Sequence, residues 1–210
     1  MNKELWEKIF KRMKTQQFEL GIKTSLSWIY VARNLKHAAD RLFAIHIVSS
    51  ERIIKKLGDE AIRGTSANGM KTLSPEETEE MLDASLITTY YFLIGLSLEN
   101  LLKGILVKKK RDEITPWKRK FPDFIRCHDL LKIANKCGLN IDNEESNLLE
   151  KFSEYIIWRG RYPTPTREEE MYPLKTNDGS WKSKGEGYCG DKKKKVIDKL
   201  YIKLLNEIHS

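Results

Sequence analysis

The segment from Ser74 to Arg111 constrains this chain more than any other. Ser74-Pro75-Glu76-Glu77 opens a helix on three counts. The serine hydroxyl can cap the free N–H groups, the proline stands where no N–H is required, and Glu77 can reach back to complete a capping box. The helix predicted to follow runs from about Pro75 to Arg111. From Leu86 to Leu106 it is apolar on nearly every side, and a helix of that kind has to be enclosed by others. Lys108–Arg111 ends it, where positive charge complements the helix dipole.

The flanking sequence supplies enclosing helices. Leu26, Ile29, Tyr30, Leu35, Leu42, Phe43 and Ile45 recur at spacings of three, four and seven, which predicts a long helix continuing to Gly58 as its stop. A shorter amphipathic piece, Leu5–Phe18, precedes it. Gly58–Leu73 is a loop by composition. Pro116 and Pro122 mark an irregular connection. His128–Cys137 reads as a short helix stopped at Gly138, and Asp142-Asn143-Glu144-Glu145 repeats the capping-box pattern before a helix to about Trp158. An irregular loop at about 159–191, with three Pro, leads to a last amphipathic helix, Lys192–Ile208. No strand pattern competes. The fold class is therefore all-α, an up-and-down bundle of five or six helices forming a single domain over residues 1–210.

The 210 residues are 40% hydrophobic and 10% aromatic, enough to pack such a core. Lys and Arg exceed Asp and Glu by eight, a modest basic excess that permits a polyanionic partner. Cys127, Cys137 and Cys189 lie far apart with no C-x-x-C pair, against a disulfide framework or a four-thiolate zinc site. The first twenty residues lack the apolar core of a secretory signal. Ala84–Leu98, the longest uncharged stretch, is shorter than a membrane span. The expectation is a cytoplasmic protein with no membrane partner. No phosphate-binding loop, dinucleotide fingerprint, H-E-x-x-H or nucleophile elbow is present, so neither a cofactor nor a metal is expected.

Three stretches carry candidate chemistry. In Leu93–Val107, Glu99 and Lys103 stand four apart in the favourable order for a helical ion pair, within the most apolar part of the chain. The pair is either structural or the root of a site, with Glu99 orienting an Arg or His from another helix. In Cys127-His128-Asp129-Leu130, His128 begins a helix, as a capping or packing histidine or as a proton-transfer group. In Trp158-Arg159-Gly160-Arg161-Tyr162-Pro163, Arg161 suits bidentate binding of phosphate or carboxylate, or an internal pair with Glu99.

The order L-E-N-L-L-K-G, then H-D-L, then W-R-G-R-Y-P after a further helix resembles the HEPN superfamily over about Ser27 to Pro165. The resemblance implies a four- or five-helix bundle, usually a homodimer. It also implies either a metal-independent RNase of toxin–antitoxin, abortive-infection or CRISPR systems or an inactive binding module. Active members carry Arg-x4–6-His near the end of a late helix. This chain reads Arg159-Gly160-Arg161-Tyr162-Pro163 there, with no following His. Arg41-x4-His46 matches the spacing in an early helix, where the family does not place its site.

Eight Lys or Arg fall between Lys108 and Arg126, interleaved with Trp117, Phe121 and Phe124. Cations beside aromatics suit single-stranded nucleic acid. Lys108, Lys109, Lys110, Arg111, Lys118, Arg119 and Lys120 are the candidate contacts, against the alternative of a solvated loop. Lys192–Lys195 reads as the exposed start of the last helix. Three functions follow. The first is a HEPN-like dimeric binding or regulatory module, in a defence or toxin–antitoxin system with an antitoxin or regulatory protein as partner. The second is a metal-independent endoribonuclease using His128 with Arg159 or Arg161 and Glu99. The third is a non-catalytic RNA- or DNA-binding helical protein.

Overall fold

A computed structural model of the chain describes residues 3–62, 73–114, 122–159, 161, 174–175, 181–182 and 191–209. They form an all-α bundle of α1 (Lys3–Lys23), α2 (Ser25–Ile62), α3 (Pro75–Ser85), α4 (Ile87–Lys109), α5 (Leu130–Lys136), α6 (Asn143–Glu154) and α7 (Asp191–His209). Short 3₁₀ turns at Arg111–Glu113 and Asp123–Ile125 lie between α4 and α5. A π-helical turn, Tyr155–Arg159, extends α6. Within the long connection before α7, β1 (Leu174–Lys175) pairs antiparallel with β2 (Trp181–Lys182), a contact that the sequence pattern did not announce.

Helix α4 is the axis of the bundle. Leu98, Leu101, Leu102, Ile105 and Leu106 are fully buried, as an all-round apolar helix requires. Its principal partner is α2, with α7, α5, α6 and the π turn around the remainder. Small residues set the spacing. Ala32 and Ala39, seven apart on α2, are wholly buried, and the Ser97 hydroxyl donates to the Ala32 carbonyl at 2.7 Å. On the opposite side, a Cβ at Gly95 would lie 2.6 Å from Ile156 Cγ2 and 3.1 Å from the Phe152 carbonyl oxygen. Gly95 thus lets the α6 end approach the α4 backbone.

Both predicted capping boxes are present. Ser74 Oγ accepts the Glu77 N–H while Glu77 accepts that of Ser74. Asp142 and Glu145 reciprocate in the same way. α1 runs five residues past the predicted Phe18, and α4 ends at Lys109 rather than Arg111; four further boundaries differ. Gly58 does not stop α2, which continues to Ile62; an exposed glycine inside a helix costs only about 1 kcal/mol, and nothing crowds it there. The predicted Pro75–Arg111 helix is divided at Leu86. There the Leu86 N–H bonds the Asp83 carbonyl three residues back, and Ser85 Oγ takes the Leu82 carbonyl, a local tightening that side-chain competition for the backbone favours. His128 is not helical. Asp129 is the N-cap of α5 and accepts from the Lys132 N–H. The predicted helix to Trp158 leaves α-geometry after Glu154.

The Pro75–Lys109 stretch is long and apolar enough to cross a membrane by length and hydropathy alone. Its second half is the buried core of the bundle.

Candidate functional site

The candidate site grows from one face of α4. Residues seven apart on a helix share a face two turns apart, about 10 Å along the axis. Phe92 and Glu99 are such a pair, and Lys103 lies one turn beyond Glu99. Glu99 and Lys103 are both buried, at 4% and 6% exposure, and they form the predicted ion pair through Glu99 Oε1. Charges this deep persist only when paired.

His128 completes the pair into a triad. Its Nδ1 lies 2.9 Å from Glu99 Oε1. The segment that carries it is tied down from both sides. Ile125 is buried against Val107 and Ile114. The Leu130 N–H donates to Ser153 Oγ at 2.9 Å, and that hydroxyl donates to the Leu149 carbonyl at 2.8 Å, so α6 fixes where α5 begins. A carboxylate only accepts, so Nδ1 carries the proton. In the neutral ring the Nε2 lone pair is then available. The His128 side chain is 52% exposed, and Nε2 has no hydrogen bond among the described residues. The result is a carboxylate–imidazole dyad rooted in the core and opening to solvent. Both donors converge on Oε1. Glu99 Oε2 is buried with no hydrogen-bond partner among the described residues.

Arg161 is exposed, and its guanidinium lies 5.7 Å from the centre of the Phe92 ring, a cation–π contact. It makes no ion pair with Glu99 among the described residues, so the predicted internal pairing gives way to stacking two turns along α4. Arg159 closes the π turn, and its side chain lies outside the described residues.

The basic stretch is used differently from the sequence expectation. Lys108 donates to the Ile208 carbonyl at 3.0 Å, and Lys109 to the Cys137 carbonyl at 2.8 Å and to Glu207 at 2.9 Å. These ammonium groups satisfy carbonyls at the ends of α7 and α5, where positive charge also complements the dipoles. Lys110 pairs with Glu113 and lies over the Phe124 ring at 5.4 Å. Arg111 is exposed. Lys118, Arg119 and Lys120, with Trp117 and Phe121, lie outside the described residues.

His46 is buried in α2, with Nδ1 2.6 Å from the Ala84 carbonyl beside the α3–α4 junction. It pins that junction, while Arg41 is exposed. The described residues contain no group of three or more His, Cys, Asp or Glu able to hold a metal ion. Burial pushes the Cys137 thiol up to about 11, which keeps it protonated and unreactive.

A second charged cluster escaped the sequence reading. Lys36 and Asp40 on α2 meet Lys194 and Asp198 on α7. Lys36 lies 2.6 Å from Asp40 and 2.7 Å from Asp198, and Lys194 lies 3.2 Å from Asp40 and 2.6 Å from Asp198. Lys194 is therefore not a solvated residue of the last helix but part of a latch joining α7 to α2. Beneath it, Tyr90 is fully buried, and its hydroxyl has no hydrogen-bond partner among the described residues. Burial, reinforced by Asp198 and Asp40, holds that phenol well above its usual range. The signal was a Lys-x3-Asp spacing on both helices, visible only once their faces are known to meet.

Comparison with family models, with curated proteins and with solved structures gives no match.

Proposed function

We propose that the chain is a metal-independent endoribonuclease of the HEPN-like kind, acting through His128. The observation that carries this reading is the Glu99–His128 dyad: a buried carboxylate holds a half-exposed imidazole in the tautomer that presents Nε2 outward. RNA supplies its own nucleophile. His128 Nε2 takes the proton of a 2′-OH, and the 2′-oxygen attacks the adjacent phosphorus. The 5′-oxygen leaves and takes up the proton that His128 holds, so the step balances and ends in a 2′,3′-cyclic phosphate. This reading assigns to Arg161 the charge on the phosphoryl oxygens. Glu99 is a positioning residue, since it acts through His128.

The test is incubation of the purified protein with mixed RNA in EDTA, beside His128→Ala and Arg161→Ala. The parent is expected to cleave and leave cyclic phosphate ends. Loss of His128 is expected to cost about 10²–10⁴-fold, the usual worth of positioned acid–base catalysis. Cleavage that survives both substitutions would refute the assignment.

A second reading is a non-catalytic dimeric binding or regulatory module with the same fold. The two-turn separation of Arg161 and His128 along α4 favours it, because neither touches the other within one chain. A folded parent that cleaves nothing would decide for it.

A further inference from the structure

We infer that α1 is an interfacial helix that lies on an anionic lipid surface. Leu5, Trp6, Ile9, Phe10, Met13 and Leu20 are each between 43% and 66% exposed. At 100° per residue they form one stripe, in which Trp6, Met13 and Leu20 recur every seven residues. The helix is attached to the body by a different side. Phe18, about 150° round the helix from the centre of that stripe, packs on the cluster of Val107, Ile114 and Ile125. The apolar stripe therefore faces away from the bundle along a helix of 21 residues. Exposed apolar stretches of this kind mark interaction sites rather than ordinary surface.

The charges select the occupant. The helix carries six Lys or Arg against three Glu. Lys3 and Lys14 border the stripe on one side, and Arg12 and Lys23 on the other. Glu7 lies beside Lys14 and Glu19 beside Arg12, one acid to each border. Lys14 Nζ lies 5.5 Å from the Phe10 ring centre, its stem along the apolar face and its charge at the edge. A second copy of this helix would set cationic borders against cationic borders, in a chain already at +8. An anionic surface meets both borders with opposite charge while the aromatic stripe enters the headgroup boundary. The expectation of no membrane partner rested on the lack of a spanning segment. A helix that lies in the surface does not need one.

The experiment is co-sedimentation of the full chain with phosphatidylcholine vesicles with and without phosphatidylglycerol, at low and high salt. Trp6→Glu/Phe10→Glu runs in parallel, with circular dichroism to show that it folds. The parent is expected to partition onto the anionic vesicles, to be released by salt, and to lose about tenfold or more in the double variant. A parent that stays in the supernatant would overturn the inference, as would equal binding to neutral vesicles. A sedimenting dimer that the double variant converts to monomer would overturn it too, and would assign the stripe to a second copy.

Discussion

Lys103→Met should destabilise the protein by about 3–5 kcal/mol, because it strands a buried carboxylate. Both partners are at least 94% buried, and Glu99 Oε2 already lacks a hydrogen bond, so the remaining charge would keep only His128. Glu99→Leu should cost a similar amount by stranding the ammonium instead. In a chain of this length that corresponds to a melting temperature lower by about 6–20 °C. The double variant Glu99→Leu/Lys103→Met should behave differently. Replacing a buried pair by apolar side chains of similar volume is often neutral or stabilising by about 1–4 kcal/mol, so it should melt near the parent or above it. Urea denaturation of all four proteins closes the cycle. A double variant as unstable as either single would refute the reasoning, as would singles within 1 kcal/mol of the parent. The same double variant separates structure from function. It keeps the fold but removes the carboxylate that orients His128, so RNA cleavage should fall although stability does not.

Gly95→Ala gains about 1 kcal/mol of helix propensity, but its methyl would press on Ile156 Cγ2 and the Phe152 carbonyl, at about 1–3 kcal/mol for overpacking. A net loss of up to about 2 kcal/mol is expected. Gly104→Ala should be milder, since its nearest neighbours, Ile208 Cδ1 and Trp28 Cβ, stand at 3.2 Å; thermal melts that reverse this order would count against the packing account. Tyr90→Phe removes a buried, unbonded hydroxyl and should be neutral or stabilising by up to about 1 kcal/mol; a larger loss would mean that the hydroxyl has a partner. The α2–α7 latch should be pH-independent around neutrality. Burial opposes ionisation of Asp198, but Lys194 and Lys36 outweigh it and hold the carboxyl below the ordinary 3.8, so its contribution is lost only as pH falls below that value. Burial likewise disfavours the Lys194 ammonium, but Asp198 and Asp40 hold it above 10.5, so its contribution is lost only as pH rises past that value. Hydrogen-exchange protection of α7, corrected for intrinsic rates, should be flat between these limits, and a decline through pH 6–8 would contradict the latch.

What the sequence disclosed was local. The capping boxes at Ser74 and Asp142, the buried α4 and the Glu99–Lys103 pair each depend on residues within one turn of one another. What it concealed was non-local. Lys108 and Lys109 read as part of a cationic stripe because no pattern in the chain says that the ends of α5 and α7 arrive beside them. The partner of Glu99 was narrowed to an Arg or a His on another element; His128 holds that place and Arg161 does not. The choice depends on how the turns between Lys110 and Asp129 route the chain. The break at Leu86 was hidden by the continuous apolar run on either side of it.

The two charged clusters show why burial of charge does not by itself identify a site. In the α2–α7 latch each aspartate meets two ammonium groups and each lysine two carboxylates, so that even Asp198 Oδ1, which is buried without a hydrogen bond, has the Lys36 ammonium 2.7 Å away, the arrangement expected where ion pairs only hold helices together. At Glu99 both donors fall on one oxygen and the other oxygen is buried without a hydrogen bond. Such an orphan atom costs about 1–3 kcal/mol, and a purely structural pair gains nothing from that asymmetry. It is what results when the carboxylate's orientation is set by the need to hold Nδ1 of a half-exposed histidine. Serving the imidazole fixes Oε1, and Oε2 is left where the core happens to place it. On that account His128→Ala should lower cleavage by about 10²–10⁴-fold while costing no more stability than one hydrogen bond to a charged group, about 1.5–3 kcal/mol.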